Sequence, residues 1–128
     1  MSIESWKAEF YPVDADDPSV NNTLAAIRHS LLKWTGLRKD NIERHGGYPI
    51  ELVRSGETCA LCVRYVYAVG DCRDCPISKA RGNRCCSTCG PNESDSPWRM
   101  WTLYRDPEPM IAALEAAEKW WLDRPNYY

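Results

Sequence analysis

Cys59-Ala-Leu-Cys62-Val-Arg-Tyr-Val-Tyr-Ala-Val69-Gly-Asp-Cys72-Arg-Asp-Cys75 is the stretch on which the fold class turns. Two C-x2-C pairs flank a β-branched and aromatic run, Val63 to Val69, which ends at the turn residues Gly70-Asp71. The run reads as a strand leaving a metal knuckle. A two-residue spacer lets a tight turn aim both thiolates at one point, and two such turns supply the four corners of a zinc tetrahedron. Upstream, Ile50 to Arg54 reads as a second short strand and Ser55-Gly56-Glu57 as the turn into the cysteine region, so the stretch predicts a small β element.

Three further cysteines extend the pattern to C-x2-C-x9-C-x2-C-x9-C-C-x2-C, ending at Cys85, Cys86 and Cys89. The simplest site is Cys59, Cys62, Cys72 and Cys75, with the expected strand as the arm between the knuckles. An alternative draws on Cys75 and one or two of Cys85, Cys86 and Cys89. Seven sulfurs give one zinc with three to spare; two four-ligand zincs need shared thiolates or an eighth ligand, for which His29 and His45 are the two histidines in the chain. Cys86, Cys89 and His45 rank behind the first five cysteines. Any cysteine left over behaves as a small hydrophobe. An iron–sulfur cluster is the alternative cofactor, although the closer C-x2-C-x2-C spacing of ferredoxin-type sites is absent. A thioredoxin-like redox site asks for one isolated C-x2-C beside a βαβ pattern, whereas clustered pairs point to metal.

Outside the cysteines the period is helical. Asn21-Asn22-Thr23 offers N-cap side chains, Leu24, Ile27, Leu31 and Trp34 follow at spacings of three and four, and Gly36-Leu37 is a C-cap signature. Lys39 to His45 predicts a short second helix ended by Gly46-Gly47. Near the other end Asp106-Pro107 reads as an N-cap followed by proline at the first helical position. Met110, Leu114, Ala117 and Trp121 then predict a helix from Glu108 to Leu122 that packs on the first one, with Pro125 closing it. Residues 1 to 20 read as an irregular segment anchored by Trp6, Phe10 and Tyr11, with an acidic solvated turn at Asp14 to Pro18. The expectation is one α+β domain over residues 1–128: helical at 21–45, cysteine-rich and metal-binding at 50–99, helical again at 106–122.

Composition fits that plan. The chain has 128 residues but nine Leu, six Ile, six Val and one Phe, a shortage that would suggest disorder if net charge were high. The formal charge is −2, and six Trp, seven Tyr and seven Cys supply other means of holding a fold. Residues 70–99 hold one Ile, no Leu, Val or Phe, and five of the cysteines, so sulfur and metal must replace packing there. No apolar run approaches 18 residues, and Met1 to Phe10 lacks the basic start and apolar stretch of a secretion signal. A cytoplasmic, reducing location is therefore expected, in which clustered cysteines bind metal rather than pair as disulfides.

Catalytic material is scarce. The sequence has no G-x-S-x-G, no G-x-x-x-x-G-K and no H-E-x-x-H, and a zinc held by four thiolates keeps no open position for substrate water. The expectation is a binding protein without catalytic residues or a small-molecule substrate; a thiol or metal-dependent enzyme is a further alternative. Between Cys62 and Cys89, Arg64, Arg73, Lys79, Arg81 and Arg84 outnumber Asp71 and Asp74, and Tyr65, Tyr67, Trp98 and Trp101 offer stacking faces, which gives a nucleic-acid-binding alternative. The plainer account has these cations neutralise an anionic thiolate site.

Cys59-Ala-Leu-Cys62, Asp71-Cys72-Arg-Asp-Cys75-Pro76-Ile77, Gly82-Asn-Arg-Cys85, Ser96-Pro97-Trp98 and Met110-Ile111, preceded by His29-Ser30-Leu-Leu-Lys-Trp34-Thr-Gly36-Leu37, resemble a group of small cysteine-rich proteins of bacteriophages and prophages. The likeness spans about residues 23 to 118. It implies Cys59, Cys62, Cys72, Cys75 and Cys85 as the shared set, with Cys86 and Cys89 as additions. It also implies a phage-related accessory protein whose partner is a host or phage protein, as for an inhibitor of a host defence factor, and brings no activity with it.

Overall fold

A computed structural model describes residues 3–20, 22–46, 59–67, 75–82, 86 and 96–124. Among them every regular element is helical and none is a strand, which overturns the α+β expectation. Val63 to Tyr67 belongs to a wide π-helical turn, Cys62–Tyr67, begun where the Val63 amide donates to the Cys59 carbonyl at 2.9 Å. The chain enters this turn through buried Ala60 and Leu61, and Leu61 to Tyr65 is a helical spacing. β-Branched Val63 crowds a regular α-turn, and the backbone answers by widening rather than by extending. The strand expected to leave the metal knuckle at Cys62 is accordingly replaced by a helical turn. The expected strand at 50–54 and the turn at 55–57 lie outside the described residues.

The N-terminal segment, expected to be irregular, contains α1, Ile3–Phe10. Trp6 and Phe10 stand four apart on its buried face, and the Trp6 indole donates to the Gly36 carbonyl at 2.7 Å. Helix α2, Thr23–Thr35, starts where the Asn22 side chain accepts from the Ala25 amide at 2.8 Å, as the sequence predicts. Its buried face is turned from the predicted stripe: Ile27 and Trp34 are buried, Leu24 and Leu31 only half so, while Ala26, Ser30 and Lys33 go inside. Gly36 at its end has φ −66°, so it is not a left-handed cap. Its lack of a side chain serves packing, since a Cβ there would stand 2.4 Å from Phe10 Cγ. Helix α3, Lys39–His45, does end in a left-handed glycine, Gly46 at φ 68°.

Two further helices were not expected from the sequence. Short α4, Pro76–Ala80, follows Cys75, with proline at its first position. Helix α5, Pro97–Tyr104, is capped by the Ser96 hydroxyl, which accepts from the Arg99 amide. It buries Trp101 edge-on against Trp34, ring centroids 5.4 Å apart. Helix α6, Glu108–Asp123, buries Met110, Ile111, Leu114 and Ala117 against α2 and α4, with the Asp106 carboxylate receiving the Glu108 amide. An exposed ion pair, Arg28 to Glu118 at 3.0 Å, joins α2 to α6. Among the described residues no helix is long and apolar enough to cross a membrane.

Candidate thiolate centre

Four cysteines from three chain segments are buried or half-buried: Cys75 belongs to the hydrophobic core, Cys59 and Cys86 pack against it, and Cys62 is half-buried three residues from Cys59. Three of them stand at or just before a helical start, and the fourth, Cys86, lies in a turn. Cys59 and Cys62 open the π turn; Cys75 is the residue before α4, and its carbonyl accepts from the Lys79 amide at 3.0 Å. The Cys86 carbonyl accepts from the Trp98 amide at 3.0 Å, which joins it to the first turn of α5. All four are reduced in the structure.

The wall behind them is the unpredicted face of α2. Ser30 Oγ lies 3.8 Å from the Cys59 sulfur, and Lys33, 2% exposed, directs its charge toward Cys59 and Cys62. Burial pulls the Lys33 pKa down, and the two sulfurs work against that pull by favouring the ammonium. Cys59 gains in return. A hydrogen bond from the Cys62 thiol lowers its pKa to about 5 against desolvation, with help from Lys33, the Cys62 amide and Ser30. Cys62 keeps the shared proton and is driven upward, first by that bond to Cys59 and then by burial. Burial pushes Cys75 to about 11, partly offset by the Ile77 and Ser78 amides of α4. It pushes Cys86 to about 12, where the Cys59 and Cys75 charges add to the rise and Arg81 opposes it.

The centre thus sets Cys59, whose pKa is lowered, beside Cys62, Cys75 and Cys86, whose pKa values are raised, and buried Lys33 favours the charged form of Cys59. Among the described residues no three His, Cys, Asp or Glu side chains are gathered closely enough to hold an ion as they stand. The donor chemistry is nonetheless that of a soft divalent metal, four sulfurs with cations beside them. Cys72, Cys85 and Cys89 lie outside the described residues, as do Arg73 and Arg84.

The other expected site residues go elsewhere. His45 Nε2 meets the Glu9 carboxylate at 2.6 Å and Nδ1 meets Ser5 Oγ at 2.9 Å, so both ring nitrogens clamp α3 to α1. Ionised Glu9 accepts, which places the proton on Nε2 and leaves Nδ1 to accept from Ser5. His29 Nε2 donates to the Val13 carbonyl at 2.8 Å, and its buried Nδ1 has no partner among the described residues. Arg64 Nε donates to Thr23 Oγ1, which the Tyr65 hydroxyl also meets. Lys79 is half-buried on α4. Trp101, expected as a stacking face, is 2% exposed and part of the core, and Trp98 stands edge-on to Trp34.

Sequence reasoning passed over Ser30 and Lys33. Their signal was present: Ala26, Ser30, Lys33 and Leu37 recur at four, three and four, a second helical face hidden by two polar members. Comparison with family models, curated proteins and solved structures finds no match to the chain.

Proposed function

We propose that this chain is a small helical binding protein, stapled by zinc in its cysteine-rich segment, that acts by holding another protein rather than by catalysing a reaction. The reading is carried by the pairing of Cys59 and Cys62 beside buried Lys33, with Cys75 and Cys86 from two further segments near enough to feel the charge of Cys59. A four-thiolate zinc has no open position, so its part is to hold α4, α5 and the π turn together. Leu103 and Tyr104 on the last turn of α5, with Leu122 near the end of α6, are exposed and offer apolar contact to a partner. The resemblance to phage and prophage proteins extends the reading to an accessory protein acting on a host protein.

Metal content on protein purified without chelator tests it. About one zinc per chain in a colourless solution is the expected result. No bound metal, or a brown solution, removes the zinc. The partner is tested by pull-down: a stoichiometric protein that survives nuclease supports the reading, and a nuclease-sensitive association moves the function to nucleic acid. Arg64 is engaged with Thr23, which favours the protein partner.

One observation favours a second reading. The shared proton of Cys59 and Cys62 is the arrangement of a dithiol that attacks disulfides through its first sulfur. With oxidised glutathione as co-reactant, Cys59 would displace one glutathione thiolate and Cys62 the second, leaving a Cys59–Cys62 disulfide. That product in metal-free protein would replace zinc by thiol exchange.

A further inference from the structure

We propose that Ser5 is a modification site, an activated hydroxyl that accepts an acyl group from a small activated ester, with His45 as its general base and Glu9 as the carboxylate that positions the base. The site lies on α1 and α3, which hold no cysteine, so it stands apart from the zinc reading and goes beyond it.

Ser5 and Glu9 are four residues apart on α1, so one face of the helix presents a hydroxyl and a carboxylate side by side. His45, the last residue of α3, sets its ring between them: Ser5 Oγ is 2.9 Å from Nδ1, and Glu9 Oε2 is 2.6 Å from Nε2. A hydroxyl, an imidazole and a carboxylate in that order, each within hydrogen-bond reach of the next, give a weak nucleophile its base and the base its orienting partner. Such a relay is defined by the roles of its members and not by which ring nitrogen faces the hydroxyl. Arg44 grips Glu9 through two bonds of 2.8 Å and 2.9 Å and keeps it ionised, so the carboxylate can only accept. Nε2 therefore carries the ring proton, and the lone pair of Nδ1 faces the Ser5 O–H. The Phe10 ring packs edge-on to the imidazole, centroids 5.9 Å apart. His45 is buried and Ser5 half-buried, so the base is shielded from water while the hydroxyl can be reached.

In the reaction the Ser5 oxygen bonds to the acyl carbon of the ester as its proton passes to Nδ1. The bond from that carbon to the leaving oxygen breaks, and the leaving oxygen takes the proton from Nδ1. Nothing is oxidised or reduced. Ser5 ends as an ester, and Nδ1 has lost the hydroxyl proton that tied it to α1, so acylation also loosens the seat of α3 on α1.

The test treats the full chain with p-nitrophenyl acetate and reads the rate of acetylation at each residue by mass spectrometry. Ser19 is the control within the chain, an exposed hydroxyl held by the Asp17 carboxylate at 2.7 Å rather than by an imidazole. Ser5 should be acetylated about 10²- to 10⁴-fold faster than Ser19, the usual contribution of a positioned base. Equal rates in the wild-type protein overturn the proposal, and an acetyl group on His45 in place of Ser5 overturns the hydroxyl as acceptor. In His45→Gln the Ser5 rate should fall to that of Ser19; a rate left unmoved overturns His45 as the base. The part of Glu9 is read from the nitrogen NMR signals of the His45 ring in alkaline buffer. The proton should sit on Nε2 in the wild type and be shared between the two nitrogens in Glu9→Gln. A wild-type ring protonated on Nδ1 overturns the relay.

Discussion

Phe10 fills the space that a side chain on Gly36 would need: a Cβ there would stand 2.4 Å from its Cγ and 2.6 Å from its Cβ. The same glycine offers its carbonyl to Trp6, so α1 is seated on the end of α2 by one apolar and one polar contact. Gly36→Ala must push the Phe10 ring out of a packed site. The expected cost is about 1–3 kcal/mol, as for other overpacked cores, read as a lower denaturation midpoint with an unchanged slope. A variant as stable as wild type would show that α1 moves aside freely.

Glu9 predicts an acid limb. Arg44 meets its carboxylate at 2.8 Å and 2.9 Å and His45 at 2.6 Å, and these bonds hold its pKa down from 4.5 to about 2. The folded chain therefore binds this proton less readily than the unfolded chain. The contribution is complete above the unfolded value and is lost as pH falls from about 4.5 toward 2. Glu9→Gln should lower stability at neutral pH and flatten the fall over that window. An acid limb as steep in Glu9→Gln as in wild type would assign the effect to other carboxylates.

Arg105 sits in the left-handed region at φ 54° at the end of α5. Its guanidinium lies 5.6 Å from the centre of the Trp101 ring and donates to the Trp101 and Thr102 carbonyls. Arg105→Ala and Arg105→Gly both lose the guanidinium, but glycine alone relieves the backbone. Glycine should be the more stable of the two by about 1 kcal/mol, measured by urea unfolding. Equal stabilities would mean that α5 ends differently in solution.

Trp101 and Trp98 should separate core from surface. Trp101 is almost fully buried against Trp34, and Trp101→Ala is expected to cost about 3–5 kcal/mol. Half-buried Trp98 should cost clearly less. The comparison is made by thermal unfolding; the reverse order would restore Trp101 as an exposed stacking face.

Removal of the proposed zinc should act locally. The Trp6–Gly36 and Glu9–His45 contacts use no sulfur. A strong chelator is expected to speed amide exchange across 59–67 and 75–82 while α1 to α3 stay protected. Uniform exchange over the whole chain would instead mean that the whole fold depends on the proposed zinc.

What the sequence disclosed depended on whether one local rule was enough. Asn22, Ile27 and Trp34 marked α2, and Met110, Leu114 and Ala117 marked α6, because capping and a 3.6-residue period need no tertiary partner. Val63 to Val69 misled because β-branched and aromatic residues prefer strands only where a sheet receives them. Here Ala60 and Leu61 are buried and draw the run into a helical turn. Gly36 was read correctly as the C-cap of α2, but the need for glycine there comes from Phe10, 26 residues away in sequence, and not from a left-handed backbone. The cysteines announced a sulfur-rich centre through spacing, but spacing does not show which sulfurs share a cation. Lys33 escaped notice because an isolated lysine in a helix normally faces water.

The bond from the Trp98 amide to the Cys86 carbonyl joins the sulfur cluster to the indoles of Trp34, Trp98 and Trp101. Thiols and thiolates quench indole emission at short range, whereas sulfur locked onto a closed-shell ion does so less. The protein thus carries its own optical gauge: a titration followed only by tryptophan fluorescence should report the state of the cysteines without any dye, label or change of sequence.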